Sequence, residues 1–127
     1  MGGWYAPKGL YDPEELGGLP VNRFVDAVTA EGSLCRKGCN FPLHAHPLLH
    51  EADIYGHGKP TRIANAHRDV READGDLPVA EGIQERCFAI PWFKKCQSDS
   101  IEQHASAFRK VAENADELLE TPVRGDD

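Results

Sequence analysis

The segment from 99 to 119 constrains this chain more than any other. Ile101, Ala105, Phe108, Ala112, Ala115 and Leu119 advance by four, three, four, three and four residues. That spacing keeps one apolar stripe along a long helix. Asp99 followed three positions later by Glu102 reads as a capping box at its start. A shorter pattern lies at 20–31, where Val21, Phe24, Val25 and Val28 fall at i, i+3, i+4 and i+7. Pro20 suits the first turn of that helix and Gly32 its termination. Each helix has one apolar face to bury, and the chain between them must supply the layer that covers it.

The remaining elements are short. "WYAPKGLYD" reads as an edge strand weakened by Pro7; "PEELGGLP" is turn and loop, and "SLC" a short strand after the 20–31 helix. Pro47 opens a short helix in "PLLHEAD", and Pro78 opens another in "PVAEGIQER" despite Gly82. "CFAI", ended by Pro91, reads as a buried strand, and "WFKKCQ" follows as loop. Residues 53–77 hold no sustained period, and a connection this long inside a compact domain is more often functional than idle. The predicted fold class is α/β of the α+β type: a small, mainly antiparallel sheet packed by about three helices. Residues 1–119 form one small domain and 120–127 a flexible tail.

Fourteen basic residues stand against 21 acidic ones in the 127-residue chain, a net charge of -7. A surface this anionic argues against non-specific binding to nucleic acid or to an anionic membrane. The opening residues carry no apolar h-region, and Ala6 stands where a myristoylation signal needs Ser or Thr. No apolar run approaches the ~20 residues of a membrane span. Cys35, Cys39, Cys87 and Cys96 are then expected as thiols in a reducing, cytoplasmic setting.

Four of the six histidines lie in "GCNFPLHAHPLLHEADIYGHG", residues 38–58. Cys35, Cys39, His44, His46 and His50 offer more ligands than the four zinc needs. Their spacing, C-x3-C-x4-H-x-H, is not that of the paired short-loop knuckles, and Pro42 and Pro47 restrict how the backbone wraps an ion. Histidines hydrogen-bonding within a polar loop are the simpler reading. Cys39, between Gly38 and Asn40, is the one candidate for a nucleophilic thiol, whereas Cys87 in its apolar run reads as core. "HRD" at 67–69 lacks the Asn that a kinase catalytic loop carries five residues after its Asp.

The order of the pieces says more than any one of them. "GLPVNRFVDAVTAEG" leads to "NFPLHAHPLLHEA", then to "LPVAEGIQERCFAIPWF", then to "SIEQHASAFRKVAENADEL". This resembles the C-terminal small domain of the DegT/DnrJ/StrS family of pyridoxal-phosphate-dependent sugar aminotransferases. That family carries a helix ending in an Ala-Glu-Gly-like turn, a Pro-Leu-His-x-x-Pro loop, a Pro-Val-Ala-Glu helix running into a short apolar strand, and an acidic final helix. Pro42, Leu43, His44 and Pro47 match the loop; Pro78 to Glu81 match the later helix. The likeness runs from about Tyr5 to Leu118. Residues 53–77 are longer than in many members.

The resemblance implies a reaction that moves an amino group from glutamate or glutamine onto a keto sugar or aminocyclitol through pyridoxal phosphate. It implies that the Schiff-base lysine belongs to a large domain, since no serine here has lysine three residues later as the family does. No catalytic residue and no bound cofactor are expected of this chain alone. The implied partners are that large domain or a second subunit, in a homo-oligomer. Asn40, His44 and His46 are the implied substrate-facing groups, His44 foremost because it matches the motif, with His50 and His57 further along the loop. The rival readings are a stand-alone metal-binding domain and a protein-interaction module.

Overall fold

A computed structural model describes residues 6–60, 63–71, 73 and 75–120. Of the expected tail 120–127, Glu120 ends the last helix instead, and 121–127, like Trp4 and Tyr5 of the expected first strand, lie outside the described residues. The chain divides into two compact units, one formed by Met1–Cys39 with Glu85–Asp127 and the other by Asn40–Gln84.

The first unit is built on a three-stranded antiparallel sheet in the order β1-β3-β2, with β1 Lys8–Leu10, β2 Arg36–Lys37 and β3 Cys87–Ala89. β3 takes the centre because its residues are apolar enough to be covered on both sides; Cys87 and Phe88 are both buried. β1 lies at an edge, as its neighbour Pro7 requires, and the Pro7 carbonyl still accepts from Ile90 N over 3.3 Å. The expected strand at "SLC" falls later, at Arg36–Lys37. Ser33 is committed elsewhere. Its amide closes the preceding helix on Val28 O at 3.2 Å, and its hydroxyl meets His104 Nδ1 at 2.9 Å.

Helix α1 spans Val21–Ala30 and buries Val21, Phe24, Val25 and Val28, the four residues of its predicted face. Pro20 stands one place earlier than predicted, as the extended cap residue. The long C-terminal helix is two: α4 Ser98–Glu113 and α5 Ala115–Glu120. Asn114 interrupts them, its amide side chain donating to Lys110 O over 2.7 Å and so competing for a helix carbonyl. The Asp99–Glu102 capping box does not form: α4 starts at Ser98, and its cap, Gln97, makes no side-chain bond.

The apolar stripe is also turned from its predicted line. Ala107, Val111 and Ala115 are buried, while Ile101 and Leu119 are 39% and 37% exposed. These three small residues form a single i+4 row, which lets α4 approach α1 closely. Lys110 Nζ closes the same contact with an ion pair to Glu31 at 2.7 Å.

Phe88 is the hub of the core. Its ring lies 5.5 Å from that of Phe24, 5.6 Å from that of Phe108 in a stack, and 6.3 Å edge-on from that of Tyr11. Tyr11 in turn donates its hydroxyl to Leu19 O over 2.6 Å, so the one polar atom in the cluster is satisfied. The fourth side of Phe88 lies over Gly9, its partner in β1. A Cβ at Gly9 would sit 2.4 Å from the Phe88 ring. Only glycine fits there.

The second unit has little regular structure. A tight helical turn at Leu43–Ala45 precedes α2 Pro47–His50, and α3 Pro78–Gly82 runs into a tighter turn at Ile83–Glu85. The helix predicted through "PVAEGIQER" is therefore cut at Gly82, the weakest helix former in it after its opening proline. Between α2 and α3 the described residues form no α-helix or strand. The fold is small α+β, with five α-helices and not about three among the described residues. No described helix is long and apolar enough to cross a membrane.

Truncating the hub should be felt throughout the first unit. Phe88→Ala is expected to cost about 3–5 kcal/mol and Gly9→Ala about 1–3 kcal/mol through overpacking. Urea unfolding followed by circular dichroism measures both. A Gly9→Ala chain as stable as the parent would show that the Phe88 ring is free to move.

Candidate functional site

The histidine loop is organised by its prolines. Pro42 and Pro47 bracket the turn at Leu43–Ala45, and that turn folds His44 inward until it is 7% exposed. A buried imidazole needs a partner. His44 Nε2 donates to Glu81 Oε1 at 3.0 Å, which places the ring hydrogen on Nε2.

Glu81 is held from three sides. Besides His44, it receives Leu77 N at 3.2 Å on Oε1 and Gly75 N at 2.9 Å on Oε2. The carboxylate reaches back over the start of α3, as the returning acidic side chain of a capping box does. Desolvation works to raise its pKa, but the amides of Gly75 and Leu77 and then the His44 ring outweigh it. The carboxyl is held below its ordinary value.

Beside this pair lies an open hollow of ≈ 560 Å³, lined by Asn40, Pro42, Asp76, Leu77, Pro78 and Val79 among others. Its walls are mainly apolar. Asn40 and Asp76 give it two polar groups. Asn40 O accepts from Gln84 Nε2 over 3.1 Å, and Asp76 Oδ2 accepts from Ala73 N over 2.7 Å. Val79 is 76% exposed on the hollow's wall.

The other histidines do not converge on it. His46 caps α2, its Nδ1 accepting from Leu48 N at 3.2 Å, with the Phe41 ring edge-on at 6.2 Å. His50 offers its carbonyl to Arg71 Nη1 at 3.3 Å. Arg71 also grips Asp69 in a fork, Nε to Oδ1 at 3.0 Å and Nη2 to Oδ2 at 2.6 Å. That guanidinium is the main reason the Asp69 carboxyl falls to about 2. His57 lies in a turn whose amides, with those of Gly58, bind Asp53 at 3.0 and 2.6 Å.

Asn40 thus lines the hollow, whereas His44, buried against Glu81, does not; the His46 ring caps α2, and His50 and His57 are tied through their backbone, the His50 carbonyl to Arg71 and the His57 amide to Asp53. The carboxylate of Glu81 is the group that residue-by-residue reading missed as a site member, although it ends the Pro78–Glu81 match. Its signal was present only as a motif letter. Among the described residues no three His, Cys, Asp or Glu side chains are grouped to hold a metal ion. Cys35, the first member of the candidate metal set, is buried. Desolvation, opposed by a backbone hydrogen bond from Arg36, pushes its thiol up to about 11.

No family model, curated protein or solved structure matches the chain.

The lowered carboxyl of Glu81 fixes the sign of a pH effect. Its contribution is fully present above the unfolded glutamate pKa of about 4.3 and is lost as pH falls through the lower folded value. Glu81→Gln should therefore lower the urea midpoint at neutral pH, and the gap to the parent should close as the solution is acidified. A gap that persists unchanged at pH 3, about one unit below the free glutamate value, would mean that the His44–Glu81 contact is not ionic in origin.

Proposed function

We propose that this chain is the small C-terminal domain of a pyridoxal-phosphate-dependent aminotransferase acting on keto sugars or aminocyclitols, with glutamate or glutamine as amino donor. One observation carries the reading. The two segments that match the sugar aminotransferase pattern, the Pro-Leu-His loop and the Pro-Val-Ala-Glu helix, lie 37 positions apart in sequence and meet through the 3.0 Å bond between His44 and Glu81. Motif residues that touch in space act as one structural feature, and Pro42 and Pro78 to Ala80 of the same two segments line a hollow whose polar groups are an amide and a carboxylate.

The chain's own lysines do not fit the cofactor. A Schiff-base lysine needs a desolvated pocket that lowers its pKa, and Lys8, Lys37, Lys59, Lys94, Lys95 and Lys110 are all exposed. Three of them are already engaged, Lys8 with Gly38 O, Lys37 with Glu85 and Lys110 with Glu31. The reacting lysine and the cofactor therefore belong, in this reading, to a large domain outside these residues. The part left to this chain is recognition. Asn40 offers a donor and an acceptor suited to sugar hydroxyls, and the ordered His44–Glu81 pair keeps that loop in one shape.

A partner surface is in keeping with this. In the first unit Leu34, Ile90 and Trp92 are 73%, 36% and 51% exposed around a hollow of ≈ 490 Å³. An apolar face of that kind suits a domain that packs on a larger neighbour or a second subunit. The expected setting is a cytoplasmic homo-oligomer.

Two measurements test the reading. The coding sequence around this gene should encode a lysine-bearing large domain, and co-expression with it should give glutamate-dependent amination of a keto sugar, weakened by His44→Ala. Mixed with pyridoxal phosphate by itself, the chain should give no absorbance band that borohydride reduces onto a single lysine. Such a band, or a genome with no large domain to pair with, would overturn it.

A further inference from the structure

β2 does not end cleanly at Lys37. Gly38 N donates to Cys87 O over 2.7 Å, carrying the pairing one residue past the strand in the register set by Lys37 against Phe88. In a regular ladder side chains alternate between faces, so Cys39 would stand on the face opposite to Cys87. Gly38 breaks the alternation with a φ of 77°, a left-handed conformation that glycine adopts freely. Cys39 follows directly on the residue bonded to Cys87, and its side chain is within hydrogen-bonding reach of the Cys87 thiol. Gly38 is the residue opposite Cys87 in this register, so Cys39 stands one residue from a position where Cα atoms lie about 5.5 Å apart across a ladder, and a disulfide spans about 4.4–6.8 Å.

Access and charge distinguish the two sulfurs. Cys87 is 3% exposed, whereas Cys39 is half-buried. Burial, and then the neighbouring Cys39, hold the Cys87 thiol above its ordinary pKa. Lys8 works the other way: its Nζ, fastened to Gly38 O at 3.1 Å, sets a positive charge beside the pair. Cys35 and Cys96 lack this arrangement, the first being buried and the second exposed.

We propose that Cys39 and Cys87 are a reversible redox site that closes to an intrachain disulfide when a peroxide oxidises it and reopens with a dithiol reductant. The peroxide gives one oxygen atom to the Cys39 sulfur, its O–O bond breaks, and the departing oxygen leaves with the thiol proton as an alcohol or water. The Cys87 sulfur then attacks the Cys39 sulfenic sulfur; the S–S bond forms, the S–O bond breaks, and hydroxide leaves with the Cys87 proton as water. Two thiols have lost two electrons and two protons, and the peroxide has gained them. Two exchanges with a dithiol reverse the change. Cys39 is the last residue of the first unit before the histidine loop, so the bond fastens that end of the chain to the central strand.

The test uses the full chain carrying Cys96→Ser, which removes the exposed thiol that would link two molecules. After reduction and desalting it is treated with a modest excess of hydrogen peroxide. The expected product has lost two thiols and about 2 Da. Trypsin, cutting after Lys37 and Arg86, should release the peptide that begins at Gly38 joined to the one that begins at Cys87. Dithiothreitol should restore the starting mass, and the oxidised form should melt several degrees higher, because closing the intervening loop restricts the unfolded chain. Gly38→Ala, checked for folding by circular dichroism, should slow bond formation several-fold. Gain of two or three oxygen atoms at Cys39 with Cys87 still reduced would overturn the proposal, as would a bond through Cys35. So would a Gly38→Ala chain that closes at the parent rate.

Discussion

The first unit depends on a ring with no room to move. Phe88 is pressed by Phe24, Phe108 and Tyr11 on three sides and by the bare backbone of Gly9 on the fourth. Each neighbour belongs to a different part of the chain: α1, α4, the segment after β1, and β1 itself. One side chain thereby joins two helices to two strands, and the sheet needs no length of its own to be stable. Strands of two and three residues are marginal by hydrogen bonding alone. Here the aromatic contacts hold them in place, and the ladder follows.

Much of this was legible before any coordinates. Val21, Phe24, Val25 and Val28 face inward as their spacing dictates, because one apolar face on a short helix leaves one way to bury it. The C-terminal helix was legible as a helix but not as a surface. Its many alanines fit more than one stripe, and spacing cannot tell Ala105 from Ala107 when the deciding factor is how closely α1 approaches. The strand after α1 slipped from Ser33–Cys35 to Arg36–Lys37 for a similar reason. Ser33 is taken by a helix end and by His104, and both partners are set by tertiary packing. The site was read half-way. His44 stood out because it is a histidine between prolines; Glu81 did not, because a contact across 37 residues leaves no local signature.

Two kinds of order meet in this chain. The first unit is ordered by apolar burial around a few large side chains. The second is ordered by short polar links: a carboxylate on two loop amides, an arginine fork on Asp69, an aspartate at 53 clasping the turn that follows it. Polar links of this kind respond to pH and salt far more than an aromatic core does. A loop built from them keeps its shape at neutral pH and gives it up on acidification, while the sheet beneath Phe88 has little reason to change.

The chain order carries one more consequence. The first unit is written in two pieces, and the second lies between them at Asn40–Gln84. Neither piece holds the whole sheet, since β3 comes after the interruption. The strands can therefore pair only once the intervening residues have closed into a loop, a search that slows folding. Closure entropy grows only with the logarithm of loop length, so doubling such a loop costs about 0.6 kcal/mol. Residues between α2 and α3 can then be added or removed at small thermodynamic expense, and the sheet is left as it was. A chain arranged this way can vary its loop across generations without having to relearn how to fold.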